Sequence, residues 1–262
     1  MSAYLGRRAL ERLGEQLSER DLAILDSVLE HRFLTAGQIE QLHFAEHTSG
    51  EAGARVCRRV LRRLSGDRLL ARLDRRVGGV RAGSASFVYA IGPAGSRLLH
   101  NGRRFSEPSL TFLEHTLAIA DARVALVKAM RAGQLELLRV EVEPACWRRY
   151  TGTGGAAEIV RPDLYVVTGS GAFEDCWFLE IDRGTESPAA VRRKCRAYQA
   201  YWQSGREQAA HGVFPLVTWV VPEHQREARL KMLISEARNL NRDLFRVTRS
   251  EWLVELIAGA AA

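Results

Sequence analysis

Lysine is almost missing from this chain: Lys128, Lys194 and Lys231 stand against 35 arginines, the rest of its 38 basic residues. No apolar run reaches the roughly 20 residues that a bilayer crossing needs. The opening MSAYLGRRALERLGEQ carries charge where a signal peptide would have its apolar segment. A membrane partner and export are therefore not expected, and the expected location is cytoplasmic. Cys57, Cys146, Cys176 and Cys195 lie far apart, with no C-x-x-C and no His at zinc-finger spacing. That excludes a zinc finger and the disulfide framework of a small secreted chain, and leaves four reduced thiols packed in cores. With 46% apolar and 26% charged residues, a disordered or fibrous class is excluded as well. The 262 residues are expected to form two domains of roughly 100 to 150 residues each.

The net charge of +7 has an address. Residues 1–105 hold 18 arginines and 11 acidic residues, whereas residues 106–262 balance at 20 of each sign. Within 52–104 the imbalance sharpens to 13 arginines against Asp67 and Asp74. A local positive excess of this kind is the electrostatic footprint of phosphate-backbone binding, which makes double-stranded DNA the expected partner.

Residues 1–105 read as a winged helix-turn-helix. Ser18 is placed to cap a helix over SERDLAILDSVLEHRF with Asp21 at the third helical position, and Thr35 to cap a second, shorter helix. A third helix is predicted from about Gly50 to Leu64. Val56, Cys57, Val60, Leu61 and Leu64 form its apolar stripe, and Arg55, Arg58, Arg59, Arg62 and Arg63 its opposite face. Two strands around a Gly- and Arg-rich tip follow, so the helix would enter the major groove while Arg75, Arg76 and Arg81 of the wing touch the backbone or minor groove. GRRFSEPS reads as the linker.

Residues 106–262 alternate: helix 109–132, strands 135–143, 159–167 and 176–182, helix 187–204, strand 214–221, helix 223–241 and a last strand near 244–248. The predicted fold is mixed α+β, with helices covering a central mixed sheet. A turn centred near residue 171 sets Asp163 opposite Glu180, and the period of two puts Glu180 and Asp182 on one face. Like charges so placed cost stability, which points to a divalent cation, Mg²⁺ or Mn²⁺, held by Asp163, Glu180 and Asp182 together; the competing reading has Asp163 and Glu180 end strands at the solvent edge and pair with Arg161 or Arg183. Tyr198, Tyr201 and Trp202 either stack on bases or, at helical spacing, belong to the core. Gly152, Gly154 and Gly155 read as a loop.

The run RPDLYVVTGSGAFEDCWFLEIDRGTESPAAVRRKCRAYQAY resembles the PD-(D/E)xK nucleases. Over nearly its whole length, through FLEHTLAIADARVAL, EPACWRRY and FLEIDRGTES, the chain is similar to replication-relaxation family proteins of plasmids and mobile elements. The resemblance implies a restriction-endonuclease-like second domain with Asp163 and Glu180 as metal ligands and Glu114, beside His115, as a further acid. It departs from the pattern at Asp182, where such nucleases carry lysine; Lys194 on the following helix is implied in that role. Two functions stay open: a metal-dependent DNA-nicking or cleaving enzyme, and a non-catalytic DNA-binding accessory factor or regulator that keeps the nuclease fold. Implied partners are DNA, a second copy of the chain, and replication or transfer proteins.

Overall fold

The computed structural model describes residues 6–46, 50–77, 86–100, 108–152, 154–171 and 173–259, in two compact units, Met1–Val124 and Ala125–Ala262. In the first, α1 (Arg7–Glu15) precedes α2 (Glu19–His31). Ser18 fixes the start of α2: its Oγ accepts the Asp21 amide at 3.2 Å, and the Asp21 carboxylate accepts the Ser18 amide at 2.9 Å. Two N–H groups that a helix start leaves open are thereby satisfied reciprocally. Thr35, in the short strand β1 (Leu34–Thr35), repeats the device with Gln38 at the start of α3 (Ala36–His43).

Helix α4 runs over Gly50–Gly66 and leads into the antiparallel pair β2 (Leu70–Val77) and β3 (Ser86–Ile91). β1 adds to the free edge of β3, giving a three-stranded sheet in the order β1-β3-β2. Ile24, Leu25 and Val28 of α2, Ile39 and Leu42 of α3, and Cys57, Leu61 and Leu64 of α4 are buried, as their helical spacing demands. Helix α5 (Pro93–Leu98) begins on Pro93, where a missing N–H is harmless. Gly92 before it has no alternative: a Cβ there would meet the Arg68 carbonyl oxygen at 2.3 Å. The long helix α6 (Leu110–Arg131) packs Leu113 and Leu117 against Phe33, Leu73, Val88 and Ala90. Gln38 Nε2 also donates to the Leu117 carbonyl at 2.9 Å and to Asp121 at 2.7 Å. The units divide within α6, after Val124; the junction expected at 105/106 lies outside the described residues.

The second unit contains β4 (Glu136–Val142), β5 (Arg148–Thr151), β6 (Ala157–Val160), β7 (Leu164–Ser170) and β8 (Phe173–Ile181), followed by α7 (Pro188–Gln203), α8 (Arg206–His211), β9 (Leu216–Val221), α9 (His224–Ser235), β10 (Phe245–Arg249) and α10 (Leu253–Gly259). Five strands form the mixed sheet in the order β10-β9-β8-β7-β4, parallel from β10 to β8 and antiparallel from β8 to β4. The single strand predicted over 159–167 is two strands. Pro162, with no N–H to give a ladder, separates β6, which pairs with β5 in a hairpin of its own, from β7 in the main sheet. The helix predicted to residue 241 stops at Ser235. Asn241 instead caps a 3₁₀ turn before β10, its side chain accepting the Asp243 amide at 3.2 Å.

Alternate residues of the sheet, Tyr165 and Val167, Phe178, and Val217, Trp219 and Val221, pack on one face against Val191, Cys195, Tyr198 and Tyr201 of α7 and Leu230 and Leu233 of α9. Leu164 pairs with Leu179 and Ser170 with Phe173 around Gly171, whose φ of +60° suits glycine. Continued by one residue, this register sets Asp163 opposite Glu180, as predicted.

An arginine face and a buried carboxylate cluster

On α4 the apolar stripe faces inward, and Arg55, Arg58, Arg59, Arg62 and Arg63 are exposed. Arg55, Arg58, Arg59 and Arg62 make no ion pair among the described residues. Arg63 differs: its Nη2 donates to Asp21 Oδ1 at 2.6 Å, on a carboxylate that is itself buried. Burial alone would raise the Asp21 pKa, but the hydrogen bonds from Arg63 and Ser18 outweigh it and hold the carboxyl below its ordinary value. Arg63 thus ties α4 to the capping box of α2. Arg81 and the side chains of Arg75 and Arg76, expected in the wing, lie outside the described residues; the backbone places Arg75 and Arg76 in β2.

In the second unit the period of two does put Phe178, Glu180 and Asp182 on the face covered by α7 and α9, but each carboxylate meets different partners. Glu180 is 1% exposed. Its Oε2 accepts Lys194 Nζ at 2.7 Å and its Oε1 accepts the Tyr198 hydroxyl at 2.5 Å. Lys194 also donates to Glu186 Oε1 at 2.5 Å, and its ammonium lies 5.3 Å from the centre of the Trp219 ring. Asp163, also buried, accepts the Ile181 amide through Oδ2 at 2.6 Å. Asp182 accepts Arg226 Nε at 2.6 Å and the Gly184 amide at 2.8 Å.

Burial pushes the Glu180 carboxyl up to about 7; Lys194 opposes the rise and nearby Asp163 reinforces it. For Lys194, burial would lower the pKa, but Glu180 and Glu186 together hold it above the ordinary lysine value. The Tyr198 phenol, raised by burial and by Glu180, stays protonated as a donor. Sequence reasoning missed two members of this network. Glu186 lies inside the FLEIDRGTES run but forms its contact through the chain reversal before α7. Arg226 comes from α9, with no local pattern to mark it.

A divalent cation needs carboxylate oxygens open to it. Both Glu180 oxygens are already taken, Asp182 is held by Arg226 and Gly184, and Asp163 Oδ2 binds a backbone amide. Among the described residues no three His, Cys, Asp or Glu side chains are grouped to hold a metal ion. The donors, so arranged, do not fit Mg²⁺ or Mn²⁺. Glu114 is half-buried on the part of α6 that belongs to the first unit. Tyr198 and Tyr201 are core residues, the latter donating its hydroxyl to buried Glu207, and Trp202 packs against the same core. Cys57, Cys146 and Cys195 are buried and Cys176 is half-buried, all as free thiols; burial pushes the Cys57 and Cys195 thiols up to about 12.

These features define a two-unit mixed α+β protein with an arginine-faced helix in one unit and a buried, hydrogen-bonded carboxylate cluster in the other. The chain belongs to the replication-relaxation family, whose model matches residues 25–217, a span that includes α4, Asp163, Glu180 and Lys194. Among solved structures, one titled "Structure of restriction endonuclease FokI" aligns with 93% of this chain and 44% of that chain, at 14% identity and a TM-score of 0.28. This chain thus spans less than half of that one. No curated protein matches in sequence. Among the described residues no helix is long and apolar enough to cross a membrane.

Proposed function

We propose that the chain is a DNA-binding protein of plasmid or mobile-element replication, relaxation or transfer, and that its first unit works as a winged helix with α4 in the major groove. The observation that carries this reading is the exposed row Arg55, Arg58, Arg59 and Arg62, without ion pairs among the described residues, in a segment where arginine far outnumbers acid. The order of three helices and a hairpin supports it, as does the pairing of β1 with β3. The second unit, in this reading, is a PD-(D/E)xK-like frame whose carboxylates are engaged by partners of their own. Lys194 serves Glu180 and Glu186, and Arg226 serves Asp182, so the protein holds DNA without cutting it.

The test is fluorescence anisotropy on a labelled duplex across a salt series. Replacing Arg58, Arg59 and Arg62 by Ala is expected to weaken binding at least tenfold and to flatten the slope of log K against log salt by about 2.7, near 0.9 for each phosphate no longer neutralised. Asp163→Ala with Glu180→Ala should bind like wild type wherever it remains folded. Unchanged binding in the α4 triple variant would remove the winged-helix reading. Cleavage that requires Mn²⁺ and vanishes in Asp163→Ala would overturn the non-cutting half.

A further inference from the structure

The second half of the chain is neutral overall, yet α7 carries four bases and no acid. From Ser187 through Gly205 there is no Asp or Glu, while α7 carries Arg192, Arg193, Lys194 and Arg196. At 100° per residue, Arg192, Arg193 and Arg196 share the arc opposite buried Val191, Cys195 and Tyr198, and all three are exposed. Lys194 turns inward to Glu180, so the run spends its lysine on the buried cluster and its arginines on the surface.

On two other helices acids stand beside exposed bases: Arg7 pairs with Glu11 on α1, and Lys231 with Glu227 on α9. On α7 no such acid is supplied. Arg192 and Arg196 stand at i,i+4, and Arg193 and Arg196 at i,i+3, spacings at which like charges work against a helix. Among the described residues these three form no ion pair, and Arg196 Nε reaches only the Arg192 carbonyl, at 3.3 Å. Folding gains nothing from this arrangement. An external polyanion would, because planar guanidinium forks one helical turn apart match phosphate oxygens bidentately.

We infer that the exposed face of α7, through Arg192, Arg193 and Arg196, is a second nucleic-acid contact surface that binds the phosphate backbone. It extends the reading of the first unit and rests on it only for the identity of the polyanion as DNA. Two separate attachment points in one chain make the second contact intramolecular once the first has formed.

The full-length chain is titrated with a labelled 40-base-pair duplex over a salt series, comparing wild type, the α4 alanine triple, and Arg192→Gln with Arg193→Gln and Arg196→Gln together. The α7 triple is expected to lose at least tenfold in affinity and to flatten the salt slope by about 2.7, near 0.9 per phosphate. Arg→Lys at the same three positions keeps the slope. If the glutamine triple melts earlier than wild type, Arg193→Gln alone is read instead, with a slope change of about 0.9. An unchanged slope in the glutamine variants overturns the inference, and is also what a face serving an acidic protein would give. A flattened slope in the α4 triple alone keeps the first-unit reading while this one falls; the reverse pattern does the opposite.

Discussion

Arg226 reaches from α9 to Asp182 just beyond β8, with 2.6 Å between Nε and Oδ2, and the same guanidinium donates to the Glu186 carbonyl at 2.7 Å. Both side chains are buried, 7% and 0% exposed. Asp182 is therefore one half of an ion pair whose other half lies beyond the residues matched by the family. The pair also fastens the chain reversal that delivers Glu186 to Lys194.

Removing one partner of such a pair leaves an uncompensated buried charge, which typically costs about 3–5 kcal/mol, whereas replacing both with neutral groups is far cheaper. Arg226→Ala is expected to lose stability in that range. Asp182→Asn combined with Arg226→Met should lose much less than the two single costs added, as read by urea unfolding. Simple additivity would mean that the pair is not what holds this corner.

Glu180 gives the second unit a pH dependence of definite sign. Its carboxyl is raised from 4.5 to about 7, so the folded state holds the proton through a window where the unfolded chain has released it. The contribution is fully present below about 4.5 and is lost as pH rises through 7. The stability advantage of wild type over Glu180→Gln is expected to shrink between pH 5 and pH 8. Growth of that advantage would show that Lys194 has instead depressed the carboxyl.

Arg59 and Arg63 are both exposed on α4, but only Arg63 covers a buried carboxylate. Arg59→Ala should reduce DNA affinity and leave the melting temperature within a degree or so, because exposed substitutions away from special contacts fall within about 0.5 kcal/mol. Arg63→Ala strips Asp21 of its ion partner and should cost about 1.5–3 kcal/mol, the range for a hydrogen bond to a charged group. Equal melting temperatures in the two variants would dispose of the structural role given to Arg63.

What could be read ahead of the structure was local. Ser18 with Asp21 and Thr35 with Gln38 are decided three residues apart, and the α4 stripe is decided by a period. The match of Asp163 to Glu180 follows from one tight turn at Gly171. What could not be read depends on distant partners. Asp21 meets Arg63 across 42 residues and Asp182 meets Arg226 across 44, with nothing in either neighbourhood to announce the pairing. The split at Pro162 had a local signal that β-rich surroundings concealed: Ile159 and Val160 read as the start of the strand that Leu164 actually begins.

The first unit should respond to acid in the opposite sense from Glu180, and the chain carries its own means of telling them apart. His31 is 1% exposed, and burial together with the Arg123 guanidinium, 3.1 Å from its Nε2, lowers its pKa from 6.5 to about 3. The unfolded chain then binds a proton that the folded one refuses, so this contribution is present above 6.5 and is lost as pH falls toward 3. All five tryptophans, Trp147, Trp177, Trp202, Trp219 and Trp252, lie in the second unit, so their fluorescence follows that unit, while far-UV circular dichroism follows both. His31→Gln removes the titration. It should gain on wild type as pH drops from 7 to 4.5 in the circular-dichroism transition while the tryptophan transition keeps the wild-type pH profile. A variant that tracks wild type at every pH in both signals would mean that His31 titrates alike in the folded and unfolded chains, and that its burial beside Arg123 exerts no such force.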